Sequence, residues 1–226
     1  MILADRILFI DAEAMVVDKP AGLAVDAPRD GALSLENFLD SLRFGFTRWP
    51  SAVHRLDRDT SGCLLLARNP RAHKRFAAAF EAGTVAKLYL AVLDGVPDAA
   101  EGRIELALAK VSSKERGWRI VPDAKGKAAV THWRRLAVRE GRALVAFRPE
   151  TGRTHQIRVH AASGLGLPIA GDPHYGRPAA AMLLHARALS VPRDPKPAIA
   201  AMAPLPPSFL SAGFGEADAG GDHAGA

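Results

Sequence analysis

The chain has 226 residues, 48% hydrophobic and 24% charged, the balance of a globular protein with one large or two small domains. Its net charge is +6, rising to +9 over residues 1–210 once the acidic Glu216, Asp218 and Asp222 of the Lys- and Arg-free stretch 211–226 are set aside, a surplus that suits a polyanionic partner. No apolar run reaches membrane-spanning length, and no basic, apolar and cleavage regions of a secretory signal open the chain. The single cysteine, Cys63, excludes an internal disulfide and a cysteine zinc site and reads as a buried small hydrophobe, so the chain reads as cytoplasmic.

Residues 7–10 and 15–17 are β-type runs that predict a hairpin, and Lys19-Pro20-Ala21-Gly22 then breaks the chain. From Ser34, an N-cap residue type, Leu35, Phe38, Leu39 and Leu42 follow helical spacing and predict a helix. Next comes His54-Arg55-Leu56-Asp57-Arg58-Asp59-Thr60-Ser61-Gly62, which runs into the apolar Cys63-Leu64-Leu65-Leu66-Ala67. A polar turn entering a buried strand mounts a reactive group on rigid scaffold. Arg55 and Arg58, on either side of Asp57, would hold its carboxylate ionised, although the same spacing also suits a surface loop with ordinary ion pairs.

Asn69 and Pro70 predict a helix start, with Phe76, Ala77 and Phe80 inward, Arg71, Lys74 and Arg75 outward, and Gly83 as the stop. Strands are expected at 87–92, 103–109, 118–121, 128–138 and 143–148. The basic loop 110–127 around Trp118 reads either as a track for a single nucleic-acid strand or as a polar hairpin. Thr151 predicts the cap of a helix reaching about Ala162, ended near Gly164. Arg153 and Arg158, five apart, would then lie on different sides of it. Leu183-Leu184-His185-Ala186 reads as a core strand, and Pro204-Leu205-Pro206-Pro207 as the end of the folded part. Residues 211–226, acidic and rich in Gly and Ala, are expected to be disordered.

Three of these segments resemble the RluA family of RNA pseudouridine synthases: His54-Arg55-Leu56-Asp57 with Thr60-Ser61-Gly62, the strand around Lys87-Leu88-Tyr89, and Gly152-Arg153-Thr154-His155-Gln156-Ile157-Arg158. Lys19-Pro20 and the stretch 168–176 agree with it as well, so the resemblance covers most of residues 7–210. It implies an α+β pseudouridine synthase fold, a mixed and mostly antiparallel central sheet flanked by helices and loops, in one catalytic domain over 1–210. The resemblance makes Asp57 the catalytic aspartate, Arg158 the arginine that pairs with it, Tyr89 the tyrosine that meets the uracil, and Leu184, with Leu183 beside it, the apolar pocket wall. Arg55, Arg58, Thr60, Arg153, His155 and Gln156 would bind RNA.

The reaction implied is site-specific isomerisation of uridine to pseudouridine in ribosomal or transfer RNA, on a nucleotide flipped out of its stack. No metal or organic cofactor is required, because the substrate supplies its own leaving group and nucleophile. Asp57 would attack the sugar or start an elimination there, two routes the residues do not separate. Many relatives carry a small RNA-binding module ahead of the catalytic domain; with only about fifty residues before the signature, the expectation is a short, single-domain, monomeric member.

Two rival readings stand beside this one. Metal-dependent hydrolysis could draw ligands from His54, Asp57, Asp59, His155, His160, Asp172, His174 and His185, yet no His-Glu-x-x-His motif is present and His155 and His160 are five apart. A non-catalytic RNA-binding protein or RNA chaperone could use the same fold. Such a protein would have no need to keep Asp57, Tyr89 and Arg158 together.

Overall fold

The computed structural model describes residues 3–28, 31–113 and 117–220. In chain order the strands are β1 (Ile7–Ile10), β2 (Ala14–Lys19), β3 (Ser51–Ala52), β4 (Ser61–Ala67), β5 (Ala86–Leu93), β6 (Glu101–Glu105), β7 (Leu108–Ser113), β8 (Gly117–Pro122), β9 (Val130–Arg139), β10 (Arg142–Pro149), β11 (Leu184–Val191) and β12 (Ile199–Met202). The α-helices are α1 (Pro70–Glu81), α2 (Gln156–Val159), α3 (Pro207–Ser211) and α4 (Glu216–Ala219). The fold is thus α+β, with few helices and mostly antiparallel strands. The chain forms two compact units, since it leaves the first after Lys87 and re-enters it at His185.

The first unit orders its strands β1-β2-β4-β11, with β3 beside β4 and β12 beside β11. Every residue of β2 and β4 is buried, which explains the apolar runs at 15–17 and 63–67 within them. β4 runs antiparallel to β2 and parallel to β11, where Ser61 faces His185 and Gly62 faces Ala186. A Cβ on Gly62 would lie 2.2 Å from the Ala186 carbonyl oxygen, and its φ is +105°, so glycine is required on both counts. Helix α1 starts as its sequence predicts: the Asn69 side chain accepts the Ala72 N–H and Pro70 takes the first turn. Ala72 and Phe76 then reach the core formed by Val16, Leu65, Leu189 and Ile199, with Phe80 at its edge.

The second unit carries the antiparallel order β5-β10-β9-β6 and the separate hairpin β7-β8. Its core gathers Leu93, Trp133, Val145, Phe147, Ile157, Ile169 and Leu184, with Tyr89 packed against it. A smaller cluster of Leu108, Ile120, Ala129 and Val159 seats the hairpin on α2.

Three expectations are corrected. Residues 35–42 form two short 3₁₀ turns, Leu35–Phe38 and Asp40–Leu42, not a helix; Phe44 at φ +45° and Gly45 at +83° end the run before a costly helical nucleus is repaid. The helix after Thr151 begins only at Gln156, since His155 sits at φ +53°, and it finishes as a π-helical turn over His160–Gly164. The stretch beyond 210 is folded as far as described: Phe214 and Ala219 are buried, Glu216 accepts the Leu205 N–H, and Asp218 pairs with Arg139. Apolar anchors spaced along a Gly- and Ala-rich background carry that segment, and composition alone hides them. Residues 221–226, the rest of the predicted tail, lie outside the described residues.

Candidate active site

In the first unit Asp57 stands in a tight turn, half-buried, whose Asp57 carbonyl accepts the Thr60 N–H at 3.1 Å before the chain enters β4. The turn is fastened from three sides. The Arg58 carbonyl accepts the Gly22 N–H at 2.9 Å and the Lys19 ammonium at 3.0 Å. His54 Nε2 accepts the Leu65 N–H at 3.0 Å while its ring stacks on Phe80 at 4.5 Å. Burial, aided by the Lys87 ammonium, drives the His54 ring down to about 3, so it serves as a neutral acceptor. Ser61, directly after the turn, shares a 2.8 Å hydrogen bond with His185 Nδ1, and both are buried.

The arginines that flank Asp57 each make an ion pair with another carboxylate. Arg55 pairs with Asp26 at 2.9 Å and Arg58 with its neighbour Asp59 at 3.1 Å, because successive side chains leave the turn in different directions. Lys19 is a cation of this unit that feels Asp57. Its side chain is fully buried and its ammonium donates to the carbonyls of Pro20, Leu23 and Arg58. Burial lowers it to about 7 against the pull of Asp59, Asp57 and Asp18. Thr60 is 2% exposed, so its place is in the turn more than on an RNA-facing surface.

In the second unit Tyr89 lies on β5 opposite Phe147, half-buried, in the same apolar cluster as Leu184. Leu183 is buried beside it, its carbonyl accepting the Val92 N–H. Arg158, 4% exposed on α2, holds Asp172 through Nε at 2.7 Å and Nη2 at 2.8 Å. Asp172 Oδ1 also accepts the N–H groups of His174 and Tyr175. Burial pushes the Asp172 carboxyl up, but Arg158 and those two amides outweigh it and hold it below the usual carboxylate range. Arg158 is therefore fixed in orientation by a two-pronged grip.

Gln156, expected to bind RNA, is held inside the fold. Its Oε1 accepts the Thr151 hydroxyl and the Arg153 N–H, and its Nε2 donates to the Val130 carbonyl and the Thr131 hydroxyl. All four hydrogen-bonding places of the amide are filled and the side chain is 4% exposed. Arg153 stays exposed, its Nε donating to the Ala128 carbonyl, and His155 Nδ1 meets the Tyr175 hydroxyl at 2.8 Å. Lys19, Asp172 and Tyr175 were missed as positioning residues. Lys19-Pro20 was a visible signal for the first; the other two act through contacts across loops that spacing does not reveal. Among the described residues, no group of three or more His, Cys, Asp or Glu side chains is placed to hold a metal ion.

The model of the RNA pseudouridylate synthase family matches residues 13–163, which include Asp57, Tyr89 and Arg158. The chain belongs to this family. An uncharacterized RNA pseudouridine synthase of Zymomonas mobilis is 64% identical over 217 residues, spanning 94% of this chain and 99% of the relative. A ribosomal large subunit pseudouridine synthase D of the same organism is 38% identical over 182 residues; the match spans 76% of this chain and 56% of that longer relative. The solved structure of human RNA pseudouridylate synthase domain containing 4 superposes with a TM-score of 0.78 at 25% identity, covering 92% of this chain and 91% of that one. The pseudouridine synthase fold and the RluA resemblance of the motifs are both borne out. As a pseudouridylate synthase the chain is an isomerase that turns uridine in RNA into pseudouridine, and this favours catalysis over the non-catalytic binding reading.

Proposed function

We propose that the enzyme modifies ribosomal RNA of the large subunit, with transfer RNA as the second substrate class, and that Asp57, Tyr89 and Arg158 carry the reaction. The observation that supports this most is Asp57 itself: a half-buried carboxylate in a turn fastened by Lys19, Gly22 and His54 to a fully buried strand. Groups held this firmly lose little to reorganisation when the bond to the sugar begins to break. Asp57 initiates cleavage of the glycosidic bond; Tyr89 meets the freed uracil from an apolar wall that includes Leu184; Arg158 supplies fixed positive charge. Arg55, Arg58 and Arg153, all exposed, bind phosphates, and His155 faces the nucleotides around the target. The name of the Zymomonas mobilis synthase D, for the large ribosomal subunit, favours ribosomal over transfer RNA. We place the enzyme in the cytoplasm as a monomer; no helix among the described residues is long and apolar enough to cross a membrane.

The test is tritium release from RNA labelled at the uracil carbon that becomes the new glycosidic position, using total RNA from cells lacking the enzyme. Wild type releases tritium and Asp57→Asn releases none above background. Release by Asp57→Asn at the wild-type rate would remove Asp57 from the chemistry, and release from transfer RNA alone would reverse the substrate assignment.

A further inference from the structure

Trp118 is a large apolar side chain that the fold leaves in water. It lies on the same face of β8 as Ile120, yet Ile120 is 7% exposed in the hairpin's core and Trp118 is 45% exposed. Its indole is not isolated. The His155 ring lies 5.2 Å away at 33°, and the His174 ring lies 5.8 Å beyond His155 at 27°. Tyr175 fixes this row from below: its hydroxyl accepts the Ile120 N–H at 3.1 Å and meets His155 Nδ1 at 2.8 Å. On the hairpin's other strand the Lys110 ammonium sits 4.8 Å from the Trp118 ring centre. The result is a short row of π-faces with a cation at its rim, mounted at the start of the helix that carries Arg158.

This arrangement has the chemistry of a single-strand contact. A base inside a duplex has both faces covered, whereas an unpaired base can stack on an indole or imidazole while a lysine takes the adjoining phosphate. Resting on the reading of the chain as an RNA-modifying enzyme, we propose that Trp118 stacks on an unpaired nucleobase flanking the target uridine, with Lys110 on the phosphate beside it. The hairpin β7-β8 thereby selects for RNA whose target neighbourhood is single-stranded.

The test uses a fluorescein-labelled, twelve-nucleotide single-stranded RNA of mixed sequence and the full chain. Dissociation constants from anisotropy are compared for wild type, W118L, which keeps an apolar side chain but no ring, and W118F, which keeps a ring. Loss of one stacked base weakens binding roughly ten-fold in W118L, and W118F stays within about three-fold of wild type. The salt slope of W118L is unchanged, because stacking releases no counterions, while that of K110A falls by roughly 0.7. W118L binding like wild type, W118F as weak as W118L, or a reduced salt slope in W118L would each overturn the proposal. Tritium release on the same proteins separates it from the reading beneath it. Weaker oligonucleotide binding by W118L when wild type releases no tritium keeps the platform and removes the reaction. Normal release with unaltered W118L binding removes the platform alone.

Discussion

At Lys19 the fold keeps an ammonium where burial disfavours it, because three carbonyls need a donor and one of them, Arg58, belongs to the turn that holds Asp57. With its ammonium lowered to about 7, Lys19 loses its third donor as pH rises through neutrality. Tritium release should therefore decline above about pH 7 in wild type, and Lys19→Met should be at least ten-fold slower with that decline absent. Stability runs the other way. The folded value lies below the unfolded one of about 10.4, so this group's contribution is greatest above pH 10 and shrinks as pH falls towards 7. Urea unfolding across that range should show the slope in wild type and not in Lys19→Met. Asp172 has the opposite environment, a carboxyl held low by Arg158 and two amides despite its burial. Its contribution is present above about pH 4 and is lost as pH falls below that. Asp172→Asn takes the Asp172 charge away from the buried Arg158, at a cost of about 3–5 kcal/mol, or roughly 6–20 °C in Tm by calorimetry. The turn that carries Asp57 was legible because its residues are contiguous in sequence and run straight into β4. Asp172 was not, since its role depends on a loop returning to α2.

Among the elements, those with a local cause were readable: α1 from Asn69, Pro70 and the spacing of Phe76 and Phe80, and β4 from its apolar run. The segment 151–160 was misread because Thr151 carries a capping side chain but spends it on Gln156, five residues on. Propensity names the residue that can cap; only the fold names the partner it takes. The end of the described chain shows the same limit. Phe209 and Phe214 are buried at 1% and 0% exposure, although Phe214 lies in the stretch that read as disordered. A chain stopped after Pro206 should lose about 3–6 kcal/mol from these two side chains alone, and thermal unfolding of the truncated protein would show it. An unchanged Tm would restore the disordered reading.

For the molecule as a whole, the basic surplus matters through where it is exposed. Arg55, Arg58 and Arg153 stand in water on the segments around Asp57 and Arg158, whereas Arg158 and Lys19 are buried and act on structure and charge inside the protein. Composition predicted a polyanionic partner but could not separate these two populations of cations. The parallel pairing of β4 with β11 has a different consequence, one of timing. Ser61 and His185 are 124 positions apart, and the carbonyl that fits only against Gly62 belongs to Ala186. At about 5–20 residues per second on the ribosome, β4 waits on the order of 6–25 s for the strand that completes its flank. A nascent chain arrested before residue 185 should expose the Asp57 turn to protease, and one extended through β12 should protect it. The flank of the Asp57 turn is thus completed only after the ribosome has passed residue 185.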